Sequence, residues 1–398
     1  MNNQIILKSF RQFKLDFSWQ AILSGFIAVI VGYAGPTVLV FQVAENSHLS
    51  HAHIISWLWS YSIMAGITTI IASLYYRIPI ITAWSTPGIA FLILALNGVR
   101  FSDAIGAFIV SNLIISIVGW LGLLEKIIRF IPLSLASSLN AGILVSFGFG
   151  LIHAAKENAI LVGIMVISYF IVRRFSPRWA VAVVFAIGII VCFLLGQTHF
   201  ENLKIELAIP IWTMPTFSLQ SILNISLPLT ILALTGQYLP GFAVLKTSGY
   251  TPPVNRVVSL CGIGSIFASF FGCHNINPSS MIAAIVAGDE AHPDPKKRYI
   301  AAVSAGVIYI LFGIFATTFL NLFITFPKAV IVALAGLALL TAISSSFQLA
   351  FSQSAQSLSP LVVFLIAASG MSVWGIGAAF WSILCGLVIY YLFEQHHK

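Results

Sequence analysis

The sequence predicts an all-α membrane protein with fourteen transmembrane segments, arranged as two inverted repeats of seven. Three observations predict this fold class: the composition, the division into apolar segments and the distribution of basic residues. Of the 398 residues, 59% are hydrophobic and 8% are charged, whereas a soluble domain carries about 25% charged residues. Because so little charge could not cover a water-exposed surface, most of the chain is expected to lie in a bilayer.

Charged residues, prolines and glycine clusters divide the chain into apolar segments. A helix that crosses ~30 Å of hydrocarbon needs ~20 residues, and most of the segments approach that length. They lie near 20–43, 54–76, 80–97, 103–122, 132–153, 159–174, 179–197, 219–243, 254–271, 277–288, 299–323, 327–349, 359–371 and 376–393. Residues 1–19 form a basic amphipathic segment without a small-residue cleavage site, and we expect them to stay in the cytoplasm.

The basic residues orient these segments. With the N-terminus in the cytoplasm, 15 of the 19 Lys and Arg residues fall on the inner side, and four (Arg100, Lys156, Lys204 and Lys328) fall on the outer side. Lys and Arg collect in cytoplasmic loops, so this bias predicts an inner (plasma) membrane protein with both termini cytoplasmic. The net charge of +8 therefore needs no nucleic-acid partner.

The motifs of enzymes and metal sites are absent from the sequence. There is no GxxxxGK[ST] nucleotide loop, no GxSxG, no HExxH and no CxxC. None of the eleven acidic residues falls deep in an apolar segment. The HLSHAH stretch at 48–53 is read as solvated loop histidines rather than a metal site. We therefore expect no enzyme activity, no cofactor and no metal.

The two halves of the chain share an internal pattern. A cut near 198–218 leaves seven segments on each side, so the second half enters the membrane from the opposite face, as an inverted repeat requires. The third segment of each half is short and opens with a polar stretch containing proline, TAWSTPG at 82–88 and CHNINPSS at 273–280. Pro132 and Gly142 of the fifth segment match Pro327 and Gly336 of the twelfth within one residue of spacing.

The two interrupted segments, the third and the tenth, predict an anion site. An interruption exposes backbone N–H groups, which a membrane tolerates only against protein or a wet cavity. Helix N-termini attract anions without Lys or Arg. In the third segment we expect a strand-like piece at Ile80–Ala83, a cap at Ser85 or Thr86, and Pro87 in the first helical turn. In the tenth, Asn277 would cap the helix and Pro278 would open it. The alternative is a pair of Pro-kinked packing helices.

Several side chains near these interruptions are candidates for binding. The expected anion contacts are Ser85, Thr86, Gly88, Asn277, Ser279 and Ser280, with Gln237 from the eighth segment. Aromatic stacking is expected from Trp84, with Tyr33 and Phe271 as further candidates. His274 is the proton-coupling candidate, because histidine titrates near neutral pH. Helix capping, hydrogen bonds between helices and core packing are the plainer alternatives for these residues.

The TAWSTPG stretch, together with LPGFAVLKTSGY at 239–250 and AHPD at 291–294, resembles the BenE family of benzoate transporters. The resemblance covers essentially the whole chain, from SGFIAVIVGYA at 24–34 to GIGAAFW at 375–381. It implies a benzoate/proton symporter with elevator-like alternating access, similar in architecture to uracil and sulfate permeases.

The resemblance also implies two domains. Residues 20–122 and 219–323 (segments 1–4 and 8–11) would form a core (transport) domain. Residues 123–197 and 324–393 (segments 5–7 and 12–14) would form a gate (scaffold) domain. A homodimer through the gate domains fits similar folds.

One departure from the nucleobase permeases bears on the substrate. Those proteins carry acidic residues on segments 8 and 10, where this chain has Gln237 and the stretch Cys273, His274 and Asn275. A carboxylate ligand suits this change, because a protein carboxylate would repel it. Another organic anion, a nucleobase-like substrate and a channel remain as alternatives.

Overall fold

The computed structural model describes residues 16–34, 36–196, 205–280, 282–352, 358–374 and 376–394. The predicted cytoplasmic segment 1–19 lies outside this part of the chain except for its last four residues. The described residues form helices joined by short loops, with four strands of two or three residues.

The first half contains nine helices and one strand within the described residues. They are α1 (Trp19–Ala34), α2 (Pro36–Asn46), α3 (His51–Tyr76), β1 (Thr82–Trp84), α4 (Thr86–Ala95), α5 (Phe101–Trp120), α6 (Leu124–Phe130), α7 (Leu133–Glu157), α8 (Ala159–Phe175) and α9 (Ala180–Leu194). Helix α3 begins at a serine cap, where the Ser50 hydroxyl accepts a hydrogen bond from the His53 backbone N–H.

The second half contains eight helices and three strands within the described residues. They are α10 (Leu219–Thr247), α11 (Val254–Ser269), β2 (Ile276–Pro278), α12 (Ala283–Ala287), α13 (Tyr299–Ile314), α14 (Ala316–Ile324), α15 (Lys328–Ala350), α16 (Leu358–Ser369), β3 (Ser372–Val373), β4 (Ile376–Gly377) and α17 (Ala378–Ile389). Helix α10 includes two π turns, at Ile222–Ser226 and Leu234–Tyr238.

Seven helices of the described residues are long and apolar enough to cross a membrane. They are Trp19–Asn46, His51–Tyr76, Phe101–Trp120, Leu133–Glu157, Leu219–Thr247, Pro295–Ile314 and Lys328–Ala350. Each of the fourteen apolar segments contains at least one helix, but the others are shorter. The mostly helical membrane-type fold is thus confirmed, while the number of fourteen spans stays a prediction.

Close helix contacts run through glycines. Helices α3 and α13 pack together where a Cβ on Gly66 would lie 2.5 Å from the Gly306 carbonyl oxygen. Helices α5 and α11 pack together where a Cβ on Gly262 would lie 2.4 Å from the Ser116 hydroxyl. Lipid tails are as apolar as leucine, so helices in a bilayer associate by such close packing rather than by hydrophobic burial.

A second group of helices packs around α7. Helices α15 and α16 both lie against it, and α17 lies against α16. A Cβ on Gly142 would lie 2.8 Å from the Phe364 carbonyl oxygen, and one on Gly336 would lie 2.8 Å from the Phe147 carbonyl oxygen. Each of the matched glycines therefore lies at a helix contact.

The third segment has the predicted order of strand, serine cap and helix, although the strand lies at Thr82–Trp84 rather than at the predicted Ile80–Ala83. Strand β1 ends at Trp84, and Ser85 caps α4 with its hydroxyl accepting a 3.1 Å hydrogen bond from the Gly88 backbone N–H. Pro87 lies in the first turn of α4. That turn needs no N–H from Pro87, because the first N–H groups of a helix have no partner within it.

The prediction for the tenth segment is wrong in its details. Asn277 and Pro278 do not cap or open a helix; they lie in β2, opposite Ala83 and Thr82 of β1. Pro278 is the last residue of this two-stranded sheet, where a missing N–H is tolerated. Helix α12 begins only at Ala283, has five residues and receives no side-chain cap. Pairing with β1 thus takes up the residues that local signals assign to a helix start.

Candidate functional site

The candidate site is built around the antiparallel pair β1–β2, which joins the two interrupted segments. The Thr82 backbone N–H donates to the Thr69 hydroxyl at 2.9 Å, and the Thr82 hydroxyl donates to the Ala65 carbonyl at 2.9 Å. The Thr68 hydroxyl lies 2.7 Å from that of Thr82. Helix α3 therefore supplies the hydrogen bonds that β1 lacks as an edge strand.

Strand β2 is held in the same way by α10 and α11. The Ile276 backbone N–H donates to the Ser265 hydroxyl at 2.7 Å, and the Tyr238 hydroxyl donates to the Ile276 carbonyl at 3.2 Å. Gly241 of α10 lies against Pro278, because a Cβ there would be 2.6 Å from the Pro278 carbonyl oxygen. The eighth segment therefore crosses directly over β2.

The first turn of α4 faces this crossing. A Cβ on Gly236 of α10 would lie 3.8 Å from the Pro87 ring, so Gln237 belongs to the turn of α10 beside the start of α4. Ser85, Gly88 and Asn277 are buried, Gln237 is 9% exposed, and Thr86 is half-buried.

Several residues around the site are half-buried rather than buried. They are Thr86 on α4, Gly236, Leu239 and Pro240 on α10, and Ser280 after β2. Among the predicted polar contacts, Thr86 and Ser280 are therefore the ones that are not fully buried. Ser279 is 8% exposed, and its backbone N–H extends the sheet by donating to the Ile81 carbonyl at 3.1 Å.

His274 is fully buried and tied to the α4 cap. Its Nε2 lies 3.2 Å from the Ser85 carbonyl oxygen, and a carbonyl can only accept, so Nε2 carries the hydrogen. The side-chain amide of Asn112 donates to the His274 carbonyl at 2.7 Å and to the Ser269 hydroxyl at 3.0 Å. Among the described residues, Nδ1 of His274 has no hydrogen-bond partner. This nitrogen is where His274 can gain a proton.

The asparagines of the second interrupted segment also keep unpaired atoms. The Asn277 amide nitrogen donates a long, 3.3 Å hydrogen bond to the Asn275 side-chain oxygen. The remaining amide atoms, Oδ1 of Asn277 and Nδ2 of Asn275, are buried without a partner in the described part of the chain. Buried polar atoms are usually hydrogen-bonded, so these unpaired atoms are candidates for contact with a ligand.

The aromatic residues predicted to stack on a ligand form a cluster with one another. Trp84 stacks on Tyr61 with ring centroids 3.9 Å apart and an interplanar angle of 7°. Its indole N–H donates to the Gly32 carbonyl at 3.3 Å. Tyr33 lies 5.4 Å from Trp84, centroid to centroid, and is hydrogen-bonded to Ser62. One face of Trp84 is therefore occupied by protein.

Phe271 does not join this cluster. Its ring lies 5.1 Å from that of Trp59 and 5.4 Å from that of Trp212, away from Trp84. Sequence reasoning missed Asn112 and Tyr61. A lone amide inside an apolar helix signals a buried hydrogen bond and could have identified Asn112. Tyr61 carries no such signal in an aromatic-rich chain.

The LPGFAVLKTSGY and AHPD motifs meet at the end of the tenth segment. Arg298 is 6% exposed and donates to the carbonyls of Ala287 and His292, each at 2.8 Å, while it pairs with Asp289. The Tyr250 hydroxyl donates to the Pro295 carbonyl at 2.7 Å. Burial raises the pKa of Tyr250, against the lowering effect of Arg298. The KTSGY and AHPD stretches thus anchor the C-terminal end of α12.

Within the described residues, no group of three or more His, Cys, Asp or Glu side chains is arranged to hold a metal ion. The site instead offers hydroxyls, amides, one imidazole and a helix N-terminus. Such groups can bind a small anion through hydrogen bonds and hold a proton at one nitrogen.

Two interrupted segments that meet inside a helical membrane bundle are characteristic of secondary transporters. Solved structures share the fold. The murine anion transporter Slc26a9 in its inward-facing state matches with a TM-score of 0.62 and 14% identity, over 95% of this chain and 68% of that chain. The transmembrane domain of the cyanobacterial bicarbonate transporter BicA matches with a TM-score of 0.61 and 14% identity, over 93% of this chain and 96% of that chain.

Sequence comparison adds the family. The family model described as benzoate membrane transport protein matches residues 15–392. The benzoate membrane transport protein of Acinetobacter baylyi is 38% identical over 97% of this chain and 98% of its own length. The inner membrane protein YdcO of Escherichia coli K12 is 35% identical over 93% of this chain and 94% of its own length. The chain belongs to the BenE family, as its motifs predict.

Proposed function

We propose that this protein is a secondary active transporter of an aromatic carboxylate, most directly benzoate, with proton symport and elevator-like alternating access. The observation that carries the proposal is the β1–β2 pairing, which places the capped start of α4 beside α10 and the polar residues around β2. The name of the Acinetobacter baylyi relative supports the choice of benzoate.

The carboxylate would bind at the first turn of α4. The Ser85 hydroxyl is used in the cap with Gly88, so these two residues shape the turn, and the half-buried Thr86 offers its hydroxyl. Gln237 on α10 and Ser280 after β2 would supply further donors. Hydrogen bonds to an ionised group are about twice as strong as neutral ones, so a few such donors suffice without Lys or Arg.

The remaining proposed residues support the site from behind. Asn277 and Ser279 belong to β2 and its extension, so they set the distance between the two segments. Trp84 and Tyr33 pack in the aromatic cluster behind β1. Both are buried, so a benzoate ring would reach them only from the side of Trp84 that Tyr61 does not cover.

His274 is the proposed proton carrier. A proton on Nδ1 would make the ring cationic, and a charge-assisted Nε2–H bond to the Ser85 carbonyl is stronger than a neutral one. Because Ser85 also caps α4, protonation would tighten the turn that holds the carboxylate. The contact between His274 and Ser85 therefore supports coupling between the proton and the anion.

We further propose fourteen spans in a seven-plus-seven inverted repeat. In this numbering, α3 and α13 are segments 2 and 11, while α11 and α5 are segments 9 and 4. A twofold relation between the halves exchanges these two pairs, and both pairs pack through glycines. The helices around α7 would form the gate, and those around β1–β2 the core, with the boundaries that the family resemblance implies.

The proposed setting is the inner membrane, with both termini cytoplasmic and a homodimer formed through the gates. The name of the Escherichia coli relative supports the membrane. The basic-residue bias supports the orientation.

Uptake of radiolabelled benzoate into proteoliposomes tests the function. We expect saturable uptake that an inside-alkaline pH gradient accelerates, and competition by benzoate analogues that keep the carboxylate. Absence of saturable benzoate uptake would contradict the substrate. Stronger competition by uracil or by another organic anion would identify that compound, rather than benzoate, as the substrate. A current that rises with substrate concentration without saturating would indicate a channel.

A further inference from the structure

A crevice lies beyond the far end of α4, apart from the site at its first turn. Its volume is about 300 Å³, and its lining includes Phe91 and Leu94 of α4, Ile143 of α7, Met371 after α16 and Ala379 of α17. The proposed core supplies α4, and the proposed gate supplies the other three elements. The crevice therefore lies on the boundary between the two.

The walls of this crevice suit a flat apolar ring. Phe91, Ile143 and Ala379 are each less than 10% exposed, whereas Leu94 and Met371 at the rim are 50% and 41% exposed. Methionine adapts its shape and makes favourable contacts with aromatic rings. The volume is at the lower end of the ~300–1,000 Å³ range of small-molecule pockets, which suits a ligand with a single ring.

The polar groups of the crevice are amides. Its lining includes Asn97, Gln220 and Asn224, and no lining residue in the described part of the chain is charged. Asn97 is exposed. A carboxylate buried here without a counter-charge would lose its hydration at high cost. The geometry therefore allows a ring to enter the crevice while its carboxylate stays at the wet mouth, beside amide donors.

Helix α4 connects the crevice to the central site. Phe91 lies five residues after Thr86, which corresponds to about 7.5 Å along a helix axis. The geometry points to a second binding site for an aromatic carboxylate in this crevice, an access site that the substrate occupies before it reaches the first turn of α4. The substrate class rests on the proposed function.

Cysteine protection tests the access site directly. Cys385 is the only half-buried native cysteine and the others are buried, so Cys385→Ser provides the background. Leu94→Cys and Met371→Cys place a thiol on the rim from two different elements. Trp374→Cys, three residues from Met371 and 86% exposed, is the matched control because Trp374 does not line the crevice. Maleimide labelling rates are measured in nanodiscs with benzoate, benzamide or acetate.

When benzoate is present at about ten times its dissociation constant for the crevice, its binding there should slow labelling at both rim positions about tenfold. Benzamide should protect less, acetate should not protect, and Trp374→Cys should label at an unchanged rate. Unprotected rim cysteines, or equal protection at Trp374→Cys, would overturn the access site. Benzoate uptake by the wild-type protein is scored separately. Saturable uptake without protection of the rim cysteines would contradict only the access site. Protection of the rim cysteines without uptake would contradict only the transport proposal.

Discussion

The two interrupted segments hold equivalent places in the two halves of the chain but are built differently. The first continues from β1 into a ten-residue helix whose start is capped by Ser85. The second continues from β2 into a five-residue helix without a side-chain cap, and one buried side-chain atom on each of His274, Asn275 and Asn277 has no partner among the described residues. The comparison indicates a division of labour. Under the proposed function, the first segment would offer a helix end to an anion, and the second would offer side chains that hold a proton or orient the ligand.

The largest effect is expected where α10 crosses the second segment. Gly241→Val would place side-chain atoms against the Pro278 carbonyl, and overpacking of this kind costs ~1–3 kcal/mol. Uptake should fall to background, and the melting temperature should drop. Gly163→Val on α8, where nothing lies within 4 Å of an added Cβ, is the matched control and should transport normally. Normal uptake by Gly241→Val would show that this crossing is not needed.

In the proposed mechanism, the proton role belongs to the second segment alone. His274→Gln keeps a side-chain N–H that can donate to the Ser85 carbonyl but cannot carry a proton near neutral pH. We expect benzoate exchange across the membrane to persist, while acceleration by an inside-alkaline gradient disappears. His274→Ala should weaken both. If the pH gradient still drives uptake in His274→Gln, the proton is carried elsewhere.

The anion role should be unequal between the two segments. Thr86→Ala removes a donor to the carboxylate at the helix end, and hydrogen bonds to charged groups are worth ~1.5–3 kcal/mol, so benzoate should bind about tenfold more weakly. Ser280 lies outside any helix start. Ser280→Ala should therefore weaken benzoate binding only about threefold, which corresponds to a hydrogen bond at the weaker end of the ~0.5–1.5 kcal/mol range.

Thr247→Ala serves as the control for these two variants. Thr247 is exposed at the end of α10, where its hydroxyl donates to the Val244 carbonyl. Its benzoate affinity should equal that of the wild-type protein. Equal losses for Thr86→Ala and Ser280→Ala would mean that the two segments contribute alike.

A smaller effect than that of Thr86→Ala is expected from the cap itself. Ser85→Ala removes the bond to the Gly88 N–H, and loss of a serine cap costs ~1 kcal/mol, or about fivefold in transport efficiency. Ser85→Thr keeps the hydroxyl and should restore most of the activity. Failure of Ser85→Thr to rescue the activity would indicate a role for Ser85 other than capping.

Local signals account for what the sequence could predict. Serine before a proline and a glycine is a short-range cap signal, so the start of α4 was predicted correctly, and the composition predicted the membrane class. Strand β2 was missed because its partner, β1, lies about 190 residues earlier, and no local rule reports such a pairing. The contact of His274 with Ser85 depends on the same long-range pairing.

The family was predictable because several short motifs of the chain point to it together. The structural role of these motifs was not predictable from the sequence. The Arg298 side chain joins three acceptors from Ala287, Asp289 and His292, so the backbone of AHPD is tied to the end of α12.

Calorimetric titration of benzoate into the purified protein tests the central claim most directly, because it measures binding apart from transport. The two interrupted segments and α10 should form one site. The Thr86→Ala, Gln237→Ala double variant should therefore bind benzoate at least about tenfold more weakly than the wild-type protein, with an unchanged melting temperature in the absence of ligand. Equal affinity in the two proteins would contradict a carboxylate site at this junction.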